Sequence, residues 1–72
     1  MYKEMFGKKL RQARIEAGYT QKEVEELAGV KQNQLSHYEN NLREPDIETI
    51  GKLAEFYEVT TDWLFGIGNK KK

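Results

Sequence analysis

Apolar residues at Phe6, Leu10, Ala13 and Ala17 step by four, three and four. That is one stripe of an amphipathic helix. Gly18 stands where the stripe stops, and a left-handed conformation there costs glycine nothing. Thr20 opens a second helix, with Glu23 three residues on. This spacing predicts a capping box, hydroxyl to the forward amide and carboxylate back to the cap amide. Val24, Leu27 and Ala28 are expected to form its buried face, with Gly29 at its end. A third helix is anchored by Leu35, Tyr38 and Leu42, and Asn41 is expected to take the left-handed position that closes it. Pro45 forbids continuation. Asp46 then caps a fourth helix with the stripe Ile47, Ile50, Leu53, Ala54 and Tyr57. Thr60 caps a short fifth, whose apolar residues are Trp63 and Leu64. No strand alternation competes. The pattern predicts an all-α chain of five short helices around one core, with a single domain over residues 1–66. A flexible basic tail over residues 67–72 follows, with no apolar face beyond Ile67.

The polar positions are less ordinary than the apolar ones. The third helix carries Gln32, Asn33, Gln34, Ser36, His37 and Asn40 with little charge. Helical pitch puts Asn33, Ser36, His37 and Asn40 on the side away from its anchors. The second and third helices meet at Ala28, Gly29 and Val30, the tight glycine-bearing turn that a helix-turn-helix needs. In such a unit the polar side of the second helix enters the major groove of DNA. Amides suit that work, since Asn and Gln can bond adenine at two points, while cations mostly hold phosphate.

Composition narrows the alternatives. At 72 residues the chain holds one domain with a small core. It has no cysteine and one histidine, which leaves no disulfide, thiolate site or plausible metal centre. No apolar run approaches the roughly 18 residues needed to span a membrane, and no signal peptide is visible, so a cytoplasmic protein is expected. No Ser/His/Asp set or phosphate-cradling glycine loop stands at usable spacing, so no enzyme is expected. Formal charge is zero but unevenly spread. Residues 1–16 hold five Lys or Arg against two Glu, whereas residues 46–65 are net −4. Such a molecule can offer one basic face to an anionic partner, or simply carry ordinary solvated charge.

Taken jointly, "LRQAR" (10–14), "GYTQKEV" (18–24), "LAGVKQNQLSHYENN" (27–41) and "PDIETIGKLAEFYEVTTDWL" (45–64) resemble the phage-repressor or XRE-type helix-turn-helix proteins. The likeness covers nearly the whole chain. It implies a lambda-repressor-like DNA-binding domain with the helix-turn-helix at helices two and three. By position it implies base contacts from Gln32, Asn33 and His37, with Ser36 as a further candidate. Phosphate contacts would come from Gln21, Asn40 and Arg43. Arg14 and Glu39 match a structural ion pair between the first and third helices. Tyr38, Trp63, Phe6, Phe56 and Tyr57 are expected in the core rather than as stacking platforms.

Two departures from the family pattern bear on the site. Lys31 occupies the cap of the third helix, where the family usually has Ser or Thr. A cation there opposes the helix dipole and forfeits a cap bond worth roughly 1 kcal/mol. That local cost makes sense if Lys31 meets a phosphate, so it joins the expected backbone contacts. Glu25 stands where the family normally keeps Ala between two close helices. Burying a carboxylate is costly, so Glu25 is expected to swing outward toward Lys22 or Arg14.

The expected function is that of a sequence-specific transcriptional regulator, a repressor binding a palindromic operator in double-stranded DNA. One recognition helix spans too few base pairs to select a site in a genome, which argues for a homodimer. Leu64, Phe65 and Ile67 exceed what so small a core needs and are expected at that dimer interface. No cofactor, metal, membrane or small-molecule ligand is implied. The competing expectation is an antitoxin or ancillary subunit that uses the same fold to hold a protein; zero net charge favours it slightly.

Overall fold

A computed structural model describes residues 2–70, with side chains from residue 4. Lys71 and Lys72, the end of the basic tail, lie outside the described residues. The elements are α1 (Tyr2–Ala17), α2 (Gln21–Ala28), α3 (Gln32–Glu39), α4 (Ile47–Tyr57) and α5 (Thr61–Leu64). Among the described residues there is no strand.

Each start signal expected from the sequence is in place. Glu23 N donates to Thr20 Oγ1 at 3.0 Å, and Thr20 N donates to Glu23 Oε1 at 2.8 Å, completing the capping box of α2. Thr49 N donates to Asp46 at 2.8 Å, and Trp63 N donates to Thr60 Oγ1 at 3.0 Å. These bonds satisfy amides that a helix start otherwise leaves without partners.

The helix ends share one device. After α1, Gly18 N bonds Ile15 O and Tyr19 N bonds Arg14 O, with Gly18 at φ +87. The same pair of bonds, three and five residues back, closes α3 through Asn41 and Leu42. It closes α4 through Glu58 and Val59, and α5 through Gly66 and Ile67. Four of the five helices therefore end in a Schellman motif. Asn41 takes the expected left-handed conformation at φ +59, and Glu58 takes it as well.

α1 packs across α3, α4 and α5, and α2 packs on α3 and α4. The core between them contains Phe6, Leu10, Ala13, Val24, Leu35, Leu53, Ala54, Tyr57, Trp63 and Leu64. Tyr38, Ile50, Phe56 and Phe65 pack against it, half-buried. Val30 and Val59 are also buried, although they sit in turns rather than on any helical stripe. Each follows a left-handed residue, Gly29 or Glu58, but so do Leu42 and Ile67, which are exposed, so what buries the two valines is the helices packed over these turns.

Four positions depart from the expected stripes. Leu27 is 64% exposed, because the inward face of α2 runs through Val24 and the half-buried Ala28, one turn apart. Leu42 is 70% exposed, since the left-handed turn at Asn41 carries it off the anchored face of α3. Ile47 is 87% exposed. It is the first residue of α4, and side chains there lean back past the helix end, away from the core. Ala17 is exposed because the last turn of α1 runs beyond the core.

The chain after α5 turns back on the domain. Thr60 N donates to Lys70 O at 2.9 Å, and Thr60 Oγ1 donates to Asn69 O. Lys70 pairs with Glu16 and stands over the Trp63 ring, on which Lys9 also rests 4.5 Å from the centroid.

Candidate nucleic-acid interface

One buried carboxylate organises the helix-turn-helix. Glu39 is 6% exposed, at the end of α3. Arg14 Nε donates to its Oε2 at 2.8 Å, and the second guanidinium nitrogen donates to Oε1 at 3.1 Å. Gln21 Nε2 donates to the same Oε1 at 3.1 Å. The remaining guanidinium nitrogen of Arg14 donates to Tyr19 O at 2.9 Å. A charge removed from water is tolerated only when paired and hydrogen-bonded, and here both conditions are met. The bond to Glu39, above all, holds the Arg14 guanidinium above its ordinary pKa, although burial works against it. The network joins α1, α2 and α3, so the attitude of α3 is set from two sides. The expected pairing of Arg14 with Glu39 is present in the structure.

With Leu35 at 0% exposure on its inner side, α3 turns Gln32, Asn33 and Gln34 to solvent. Ser36 and His37 are half-buried farther along. Gln21, Glu25, Lys31, Gln32, Asn33 and Ser36 line one open cleft of about 480 Å³ between α2 and the start of α3. The structure thus gathers four of the expected contacts with Ser36 and adds Glu25 to them. Gln21 spends one amide hydrogen on Glu39 and keeps a second. Asn40 turns its amide onto its own helix, donating to Ser36 O at 2.8 Å. Arg43 is exposed on the turn after α3, where it borders an apolar groove of about 310 Å³ with Phe6, Pro45, Ile50 and Phe65.

Lys31 takes the cap position of α3 with no side-chain bond to the helix. The expected destination of Glu25 is corrected: it goes neither to Lys22 nor to Arg14. Its Oε1 accepts from Gln32 N at 2.9 Å, so a side chain from α2 caps the first amide of α3. Sequence reasoning also missed the bridging role of Asn41. Its Oδ1 accepts from Gly7 N and its Nδ2 donates to Glu4 O, each at 3.2 Å.

Leu64 is corrected as an interface residue. It is 0% exposed, because α5 lies on α1 and α4 and aims it into the core between them. Phe65 is half-buried, its ring 5.4 Å from that of Phe6, while Ile67 is 60% exposed.

Among the described residues no group of three His, Cys, Asp or Glu side chains is gathered as a metal site, and no helix is long and apolar enough to cross a membrane.

The Helix-turn-helix family matches residues 10–64. The chain is similar to the HTH-type transcriptional regulator ImmR of Bacillus subtilis (strain 168), with 50% identity over 60 residues, covering 83% of this chain and 47% of that protein. It is 42% identical over 55 residues to the cryptic phage CTXphi transcriptional repressor RstR of Vibrio cholerae, covering 76% of this chain and 50% of that protein. A third relative is an SPbeta prophage-derived HTH-type transcriptional regulator, YonR, of Bacillus subtilis (strain 168). It is 35% identical over 60 residues, covering 83% of this chain and 56% of that protein. The chain spans about half the length of these relatives.

Proposed function

The chain belongs to the helix-turn-helix family, and from that premise we propose that it is a sequence-specific transcriptional repressor that binds a palindromic operator as a homodimer. The observation that carries this reading is the outer face of α3. Its first turn offers Gln32 and Asn33 to solvent, beside Gln21 and Lys31 in one cleft, on a helix held rigidly from behind by Glu39. In the proposal α3 enters the major groove. Gln32, Asn33 and His37 contact base edges, with Ser36 beside them, and Gln21, Lys31, Asn40 and Arg43 meet the phosphates. Neutral amides discriminate bases, and the few cations fix position along the backbone.

Dimerisation would use Phe65 and Ile67 at the end of α5. Met5, 44% exposed, adjoins them: a Cβ on Gly66 would stand 2.8 Å from Met5 Sδ. Two recognition helices related by a two-fold axis would sit about one DNA turn, roughly 34 Å, apart. The test is selection of bound duplexes from a random pool. The expected winners carry two inverted half-sites with centres about one turn apart. A pool that stays random would sink the proposal, and enrichment of a single asymmetric site would sink the dimer.

Zero net charge favours a second reading, in which the same fold holds a protein partner as an antitoxin or ancillary subunit. Co-purification of a stoichiometric partner that masks α3 would support it.

A further inference from the structure

The contact between Glu25 and the start of α3 has a consequence for selectivity. The cap of α3 is a lysine that makes no side-chain bond to the helix. A helix start carries partial positive charge and amides without partners, so Lys31 is doubly unsuited to it. Glu25 reaches across the turn from α2 and accepts from Gln32 N at 2.9 Å. Its carboxylate supplies both the acceptor and the negative charge that the cap lacks. It does so from another helix, so the bond also fixes α3 relative to α2 at the end that carries Gln32 and Asn33.

The same carboxylate is exposed, and it lines the cleft with Lys31, Gln32 and Asn33. An anion there repels phosphate at every sequence alike and offsets the pull of Lys31. Non-specific binding consists almost wholly of phosphate attraction, so it bears the whole of this penalty. The specific complex bears the same penalty, so the charge lowers both affinities and leaves their ratio unchanged; the ratio depends on how α3 is held against the bases.

We propose that Glu25 is a specificity-determining positioning residue, whose carboxylate caps and orients the base-reading helix, while its charge lowers attraction to the DNA backbone at every sequence alike. The inference rests on the DNA-binding reading above.

The test uses the whole chain with Glu25→Ala and Glu25→Gln. The duplexes are those the unaltered protein enriches from a random pool, and random duplex of equal length. Glu25→Gln keeps an acceptor at the amide and removes the charge. Its melting temperature is expected within about 3 °C of the unaltered protein, since most of the cap survives. Random-duplex affinity is expected to rise about two- to fivefold. The slope of log affinity against log salt should steepen by up to about 0.9, the increment for one more neutralised phosphate. Glu25→Ala is expected to show the same rise and also a melting temperature lower by about 4–8 °C. Its ratio of selected to random affinity should fall about tenfold, because α3 loses the bond that orients it, whereas Glu25→Gln should keep its ratio.

A purely structural Glu25 would move the melting temperature and leave the random-duplex salt slope alone; that result overturns the proposal. An unchanged or higher melting temperature in Glu25→Ala overturns it too, because the carboxylate then holds nothing. If the unaltered protein enriches no sequence at all, the failure belongs to the DNA-binding reading, and is seen before any variant is made.

Discussion

The side-chain amide of Asn41 lies on the backbone of Gly7, thirty-four residues away, and fastens the turn after α3 to α1. It bonds Gly7 N and Glu4 O, and a Cβ on Gly7 would stand 2.6 Å from its Oδ1. Glycine within a helix ordinarily costs about 1 kcal/mol relative to alanine. Here the missing side chain makes room for the clasp. Gly7→Ala is therefore expected to destabilise by about 1 kcal/mol, the loss of two hydrogen bonds outweighing the gain in propensity. In an Asn41→Gly background the three atoms nearest that Cβ are gone, and the same substitution should stabilise by about 1 kcal/mol. Urea melts of the four proteins check this change of sign.

Arg14 and Glu39 make a sharper case. Removing one partner of a buried pair leaves an uncompensated charge, typically at about 3–5 kcal/mol. Arg14→Ala is expected to cost about that much, a large part of the stability of so small a domain. Arg14→Ala with Glu39→Leu should recover most of it, since no charge is then left inside. The double variant would still lack the bond from Gln21, so α3 should dock less rigidly and bind DNA more weakly. Denaturant midpoints and duplex titration separate the two effects.

These two clasps also mark where the sequence is informative. Caps depend on near neighbours, so Thr20 with Glu23, Asp46 and Thr60 were legible directly, as was the left-handed Asn41. The pairing of Arg14 with Glu39 came only through family resemblance, because nothing local links residues twenty-five apart. Periodicity located each helix but misjudged the ends of its stripes. Leu27, Leu42 and Ile47 follow the period, yet they lie where no neighbouring helix covers them. Val30 and Val59 break the period and are buried, although Leu42 and Ile67, which likewise follow left-handed residues, are exposed. A left-handed closing residue followed by an aliphatic one therefore does not tell a buried position from an exposed one. For Glu25 no local rule sufficed: its partner is a backbone amide, which has no identity in a sequence.

Tyr57 carries a titration that the fold resists. Its hydroxyl is buried and makes no hydrogen bond, and burial, with Glu39 adding to it, pushes its pKa above the ordinary tyrosine value. A raised pKa leaves stability unaffected below the unfolded-state value of about 10, and erodes it as pH rises beyond that. Tyr57→Phe removes both the unpartnered hydroxyl and this liability. It is expected to gain about 1 kcal/mol at neutral pH and more at pH 11. Urea melts at pH 8 and pH 11 measure the difference; an equal effect at both would show that Tyr57 does not titrate on unfolding.

Lys31 opposes stability and binding to one another. Serine in its place would offer a hydroxyl to the second or third amide of α3, which the Glu25 bond to the first amide does not serve. Lys31→Ser is expected to stabilise by about 1 kcal/mol, raising the melting temperature by about 4–8 °C. If Lys31 holds a phosphate, the same change weakens DNA binding and reduces the salt slope by about 0.9. Melting and binding that rise together would remove Lys31 from the interface.

Gln32 and Arg43 should fail in different ways. Gln32 projects from the first turn of α3 into the cleft, where an amide can bond a base edge at two points. Gln32→Ala is expected to lose about 1–3 kcal/mol on the selected duplex, and to relax selectivity at one base pair of each half-site. Arg43 lies beyond the helix, exposed on the turn, and in the proposed docking it meets the backbone of the duplex. Arg43→Ala should weaken binding to selected and random duplexes by the same factor and lower the salt slope by about 0.9. Titration of each variant against the selected duplex, its single-base variants and a random duplex resolves the two patterns. Were Arg43→Ala to change base preference and Gln32→Ala only overall affinity, the groove would have to be entered by the turn rather than by the helix.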